Sequence, residues 1–215
     1  MHEGWQGSPL NSGSLRLMAR PILFIGDSVT DCDRNREQFD GLGNGFVKLI
    51  DESKLFSDPV LNRGISGDRN GNLEDRWQSD VLELRPQVLS ILIGVNDTWR
   101  RYDDNDPTSA EDFTTRYRNL IIRTQSTLDF KLYLCQPFIL PVREEMKEWL
   151  GDLNEKIQGI KSLAQEFDAT YVPFGDYFNS MIAELGMEGL AEDGIHPTEL
   201  GHELMAKFWL QNFDK

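Results

Sequence analysis

The feature that most constrains the fold is a rhythm. Five short apolar runs, PILFIG, PVLNRG, QVLSILIG, KLYLCQ and ATYVPF, recur along the chain, separated by longer stretches with helical spacing. The runs are rich in Ile, Leu and Val without strict polar alternation, as strands buried on both faces are. Between them, apolar residues recur at intervals of three and four in Leu73, Trp77, Val81 and Leu84, in Phe113, Tyr117 and Leu120, and in Leu200, Leu204 and Phe208. That spacing makes Trp77 a core side chain. Strand-like runs alternating with helical ones predict an α/β fold, with a parallel sheet sandwiched by helices. In such sheets ligands bind beyond the carboxyl ends of the strands, so the residues following each run are the ones to read for function.

The helices carry further expectations. Thr108 with Glu111, just after Pro107, predicts a capping box opening a helix. Residues 142–167 read as a charged helical region interrupted near Gly151 and Gly159, its charges a solvated face. Residues 1–19 mix Gly, Ser, Asn and Pro without periodicity and read as a flexible leader, vector-derived or preceding a true start at Met18. A single domain is then expected over 20–215.

Charge narrows the partners. Lys and Arg total 22 against 36 Asp and Glu, a formal net charge of −14 that repels nucleic-acid phosphates and anionic lipid. No stretch has the length of a membrane span or the layout of a signal peptide, so a cytoplasmic location is expected. Two cysteines, Cys32 and Cys135, make no disulfide framework. Cys135 reads as core, and Asp31 and Asp33 disfavour a thiolate at Cys32.

The residues after the runs are chemically specific: Gly26-Asp27-Ser28, then Asn62-Arg63-Gly64 with Ser66 and Gly67, then Gly94-Val95-Asn96-Asp97. Near the C-terminus Asp193-Gly194-Ile195-His196-Pro197 precedes the last helix, which Pro197 is placed to start. Of three histidines, His2 is in the leader, and His202 lies about 200° round from the Leu200, Leu204, Phe208 stripe, so it is expected to face solvent. His196 alone sits in a loop. A serine hydroxyl is a poor nucleophile until an imidazole takes its proton, and that imidazole needs an acceptor on its other nitrogen. Ser28, His196 and Asp193 can fill these roles. The backbone N–H groups of Ser28 and Gly64 and the amide of Asn96 are expected to receive an oxyanion.

These blocks, GDSVTD, NRGISGDR, GVND and DGIHP in this order across residues 21–202, resemble the SGNH hydrolases, or GDSL esterases and lipases. The serine block departs from the family name only in having Val29 where GDSL has leucine. The resemblance implies Ser28 as nucleophile, His196 as base, Asp193 as its orienter, and Ser28, Gly64 and Asn96 as oxyanion donors. It also implies a three-layer, flavodoxin-like α/β/α sandwich with five parallel strands in the order 2-1-3-4-5. No cofactor or metal is implied. RNREQFDGLGNGFVKLI, ILIGVNDTWRRYD and QPFILPV resemble the bacterial branch containing acetylxylan esterases and related carbohydrate deacetylases. A small-molecule acetyl ester of carbohydrate is therefore the expected substrate, with longer acyl chains, as in lysophospholipases and thioesterases, the alternative. Some relatives form oligomers, which leaves a homo-oligomer open.

Other residues admit two readings. Trp99 either stacks on a sugar or walls an acyl pocket, or it folds onto the core; Arg63 lines the pocket mouth or makes a surface ion pair. Arg100 and Arg101 are expected to pair with acids such as Asp103 and Asp104, and Asp27 and Asp97 to accept loop N–H groups. Asp27, Asp31, Asp33, Asp97 and Asp193 could together suggest a magnesium-dependent phosphohydrolase. That reading leaves Ser28, Asn96 and His196 unexplained.

Overall fold

The computed structural model describes residues 20–213, and the expected leader lies outside them. Five parallel strands form one sheet: β1 Ile22–Gly26, β2 Val60–Gly64, β3 Val88–Leu92, β4 Lys131–Cys135 and β5 Thr170–Val172, in the order β2-β1-β3-β4-β5. All five runs anticipated from sequence are strands. Alternate residues of β1 face different cores. Ile22 and Phe24 pack with Phe46, Phe174, Met205 and Trp209, whereas Leu23 and Ile25 pack with Trp77, Tyr117, Leu120 and Leu163. Both faces are covered, which is why the strands show no polar alternation.

Nine helices complete the described residues: α1 Ser28–Asp31, α2 Phe46–Glu52, α3 Asn70–Trp77, α4 Val95–Asp103, α5 Ala110–Gln125, α6 Met146–Glu166, α7 Phe174–Leu185, α8 Met187–Leu190 and α9 Glu199–Gln211. A π-helical turn, Gln78–Leu82, extends α3. Trp77 is fully buried, its indole N–H donating to Thr124 Oγ1 at 2.9 Å. No described helix is long and apolar enough to cross a membrane.

Three local expectations are corrected. Helix α5 starts one residue late, because Ser109 is extended and its hydroxyl accepts from Asp112 N–H at 3.0 Å; Thr108 is outside the cap. Helix α6 is uninterrupted. Gly151 lies within it, and Gly159 is needed for packing, since a Cβ there would sit 2.1 Å from Thr114 Oγ1 on α5. Its polar face is also not wholly solvated, because Lys156 is fully buried against Asp152.

The third correction concerns α9. Thr198, not Pro197, caps it, accepting from Gly201 N–H at 3.0 Å. The buried face is Gly201, His202, Met205, Ala206 and Trp209, while Leu200 is 40% exposed. Leu204 and Phe208 pack at the flank, Phe208 stacking on Tyr177 at 4.1 Å. The helix has two apolar stripes, and the one bearing Trp209 fits beneath the sheet. His202 therefore points inward.

The register places the functional loops. Gly26 is opposite both Gly64 and Leu92, so Ser28, the loop after Gly64 and Asn96 leave three adjacent strands at one level.

Candidate active site

Strand β1 ends where only glycine fits: a Cβ on Gly26 would lie 2.1 Å from Leu92 O and 2.6 Å from Thr30 Oγ1. Asp27 then caps the four-residue helix α1, its Oδ1 accepting from Val29 N–H at 3.1 Å. This brings Ser28 to the rim at the first position of the helix. Burial, reinforced by the nearby charge of Asp97, outweighs the Val29 hydrogen bond and pushes the Asp27 carboxyl up to about 7. Asp97 accepts from Asn70 N–H at 3.1 Å and is pushed up to about 6, again mainly by burial. Both acids accept backbone N–H groups, as the sequence suggests, but those of the first turns of α1 and α3 rather than of loops.

The three side chains anticipated as nucleophile, base and orienter form one line. Ser28 Oγ is 2.9 Å from His196 Nε2, and His196 Nδ1 is 2.6 Å from Asp193 Oδ2. The other Asp193 oxygen accepts from the backbone N–H groups of Ile195 at 2.9 Å and His196 at 2.8 Å. The three-residue spacing thus folds the acid around the backbone of the histidine it orients. Gly194, at φ +85°, makes this turn, with space for no Cβ beside Leu140 O. Burial alone would raise the Asp193 carboxyl, but hydrogen bonds from the His196 ring and the two backbone N–H groups hold it below the ordinary carboxylate range.

The second block departs from expectation at Gly64. Its N–H donates to Asn62 Oδ1 at 2.8 Å, and a Cβ there would sit 2.2 Å from Asp31 N. Gly64 faces the underside of α1 rather than the cleft. It is Gly67, at φ +86° and open to solvent, that lines the cleft with Ser28, Asn96 and His196. A residue inside a strand must engage its N–H in the ladder or a neighbour, whereas a glycine in the loop beyond is free to turn its own outward. That signal was present in NRGISGDR. Asn96 is buried, and its amide donates to Asp68 O at 3.0 Å, which fixes the side chain and leaves its second N–H for the cleft.

Arg63 is also not at the pocket mouth. It is buried, donates to Phe39 O at 3.0 Å and Asn62 O at 2.8 Å, and lies over the Phe39 ring. Trp99 is half-buried on the cleft wall, 5.9 Å from Trp149 and 6.4 Å from His196 between ring centroids. It meets both descriptions, wall and core. Arg100 pairs with Asp103 and Asp104 as expected, whereas Arg101 pairs with Asp152 at 3.5 Å.

Asp31 ties the loops together. Its Oδ2 accepts from Ser66 N–H at 2.9 Å, from the Ser66 hydroxyl at 2.8 Å and from Arg36. Asn62 amide donates to Thr30 O at 2.6 Å and Leu42 O at 2.8 Å. Arg76 reaches Gly26 O, Arg63 O, Asp68 and Asp80. With Asp27, Asp31 and Asp193 each engaged locally, no group of three or more His, Cys, Asp or Glu among the described residues is arranged to hold a metal ion.

A serine, imidazole and carboxylate in line at the strand ends of a parallel α/β sandwich are arranged for acyl transfer through a serine. The comparisons agree. The chain belongs to the GDSL-like lipase/acylhydrolase family, whose model matches residues 24–204. It is 30% identical over 203 residues to an acetylxylan esterase from Geobacillus stearothermophilus, covering 88% of this chain and 92% of that one. The crystal structure of that organism's acetylxylan esterase Axe2 superposes with TM-score 0.80 at 28% identity, covering 91% and 94%. A Parabacteroides merdae protein assigned to the GDSL-like lipases superposes with TM-score 0.83 at 32% identity, covering 90% and 95%. Catalytic mutants of Axe2 replace a serine, an aspartate and a histidine by alanine, the last two three positions apart.

Proposed function

We propose that this serine esterase removes acetyl groups from carbohydrate through an acyl-enzyme on Ser28. The observation that carries the reading is the continuous hydrogen-bonded line Ser28, His196, Asp193. Asp193 accepts a hydrogen bond from Nδ1–H, so Nε2 is the acceptor that faces Ser28 Oγ. His196 takes the serine proton as Oγ attacks the ester carbonyl. The oxyanion is met by the N–H groups of Ser28 and Gly67 and the free N–H of Asn96. His196 then returns the proton to the departing alcohol oxygen. In the second half, it takes a proton from water as the water oxygen attacks the acyl-serine, and returns that proton to Oγ as the C–Oγ bond breaks, releasing acetate and restoring Ser28.

The Axe2 mutants give the mechanism independent support, since the same residue types with the same acid-to-histidine spacing are present here. Acetyl is the acyl group favoured by the likeness to acetylxylan esterase. The cleft, of about 450 Å³, is bordered by Trp99, Arg100 and Asp33.

The test is a rate series over acetyl, butyryl and octanoyl esters beside acetylated xylo-oligosaccharides, repeated with Ser28→Ala. Turnover should fall steeply beyond acetyl, and Ser28→Ala should lose on the order of 10⁶-fold in kcat. A preference for octanoyl would move the assignment to a long-chain lipase, and an active Ser28→Ala would end the acyl-enzyme mechanism. Cytoplasmic location and a homo-oligomeric state belong to the same proposal, to be read by fractionation and by light scattering.

A further inference from the structure

The catalytic cleft has a neighbour. A second groove, of about 480 Å³, lies between α2 and α9 and shares Cys32, Pro197 and His202 with the cleft. Its far side carries Asn44, Lys48, Glu199 and Glu203. We propose that this groove is the subsite for the leaving alcohol, taking a neutral polyhydroxylated unit such as the sugar ring next to the acetylated one. The proposal rests on the deacetylase reading above.

Direction comes from proton transfer. The alcohol oxygen must leave beside His196 Nε2, which supplies its proton, whereas the oxyanion faces Gly67 and Asn96. Pro197 follows His196 in the chain and lines both cavities, whereas Gly67 and Asn96 line only the cleft, so the groove lies on the alcohol side of the reacting carbon. An acetyl methyl needs none of this space.

Chemical class comes from the lining. At the floor, Phe46 N–H donates to His202 Nδ1 at 3.2 Å, so Nε2 carries the proton and points to Cys32 Sγ at 3.4 Å. The ring approaches this closely because residue 45 is glycine, where a Cβ would lie 2.8 Å from both His202 Cε1 and Cys32 Cβ. His202 thus lends the floor no positive charge. The rim holds exposed carboxylates at Glu52, Glu199 and Glu203, and its one ammonium, Lys48, is 4.0 Å from Glu52. Hydrated carboxylates reject an alkyl chain, and their charge repels an anionic alcohol. They accept hydrogen bonds from hydroxyls, as neutral sugars offer.

The experiment measures kcat/KM on mono-, di- and trimeric acetylated xylosides and on p-nitrophenyl acetate, for wild type, Asn44→Ala, Glu203→Ala and Glu203→Lys. Asn44 and Glu203 are exposed, so the variants retain the core. Wild type should prefer the longer xylosides, and each alanine variant should reduce the preference for trimer over p-nitrophenyl acetate about tenfold. Glu203→Lys should raise the relative rate on xylosides bearing a glucuronic acid. A wild type active on xylosides, with that preference unmoved by all three variants, overturns the subsite alone. A wild type active on p-nitrophenyl acetate and inert toward every acetylated saccharide overturns the deacetylase reading and the subsite with it.

Discussion

The two glycines of the second block show how much a single position can decide. Gly64 is pinned under α1, where an added Cβ would meet backbone atoms of Thr30 and Asp31, none of which is the end of a flexible side chain. Gly67 would meet nothing within 4 Å, and only its φ of +86° resists a side chain. Gly64→Ala is therefore expected to lower the thermal midpoint sharply or prevent folding, whereas Gly67→Ala should cost about 1–2 kcal/mol and mainly reduce turnover. Thermal melts of both, with kcat on an acetyl ester, check this. At the same scale, Asn96→Ala should lower kcat roughly 10²- to 10³-fold with little change in KM, because its free N–H acts on the transition state. Steady-state kinetics decide it. The triad residues were legible in the sequence because histidine is scarce: His2 falls in the leader and His202 on a helix, and His196, three residues after Asp193, then points to the serine at the end of the first strand. Gly64 was misread because the block holds two glycines, and only the backbone path tells which N–H is free. Asp31 was illegible for a related reason: its partners, Ser66 and Arg36, are set by how two loops meet.

Helices repeat this pattern at a larger scale. The apolar spacing of α3 and α5 identified their buried faces directly, since each has one stripe. Helix α9 has two, and spacing alone cannot rank Leu200, Leu204, Phe208 against Met205 and Trp209; the indole N–H of Trp209, donating to Ser90 Oγ at 3.0 Å beneath β3, ranks them. In α6 the sequence suggested that glycines break the helix, yet both lie inside it and differ in their surroundings. Gly151 is exposed with nothing near its missing Cβ, while Gly159 is pressed against Thr114. Gly151→Ala should stabilise the protein by roughly 1 kcal/mol, the helix-propensity difference. Gly159→Ala should destabilise it despite the same gain, and Thr114→Ala should partly rescue that loss by removing the hydroxyl 2.1 Å away. Chemical denaturation of the three variants and the double mutant gives the coupling.

At the scale of the whole molecule, the net charge of −14 is unevenly held, and three of its acids, Asp27, Asp31 and Asp97, are buried beneath the catalytic rim. Strand number was legible because a parallel sheet leaves a simple sequence trace, whereas the order β2-β1-β3-β4-β5 was implied only by the family resemblance. The coupling of buried groups was not, because it depends on which loops stack over them. Asp27 lies in the folded state at about 7 against an ordinary value of 3.8, raised first by burial and then by Asp97. A raised acid binds more protons folded than unfolded between those limits, so its contribution to stability is complete below about pH 4 and is lost as pH rises toward 7. His202 works in the opposite direction. Burial lowers it from 6.5 to about 4, so its contribution is complete above pH 6.5 and is lost as pH falls to 4. The wild-type profile mixes both, along with the lowered carboxyls of Asp31 and Asp193. Asp27→Asn isolates one component while keeping an acceptor for Val29 N–H. Its stability relative to wild type should rise with pH between 4 and 8, by on the order of 2–4 kcal/mol, and stay level above that range. Urea melts at closely spaced pH values measure the difference. A difference independent of pH would mean that Asp27 is ionised in the folded protein as readily as in the unfolded chain, and that the loops above it admit water to the carboxylate.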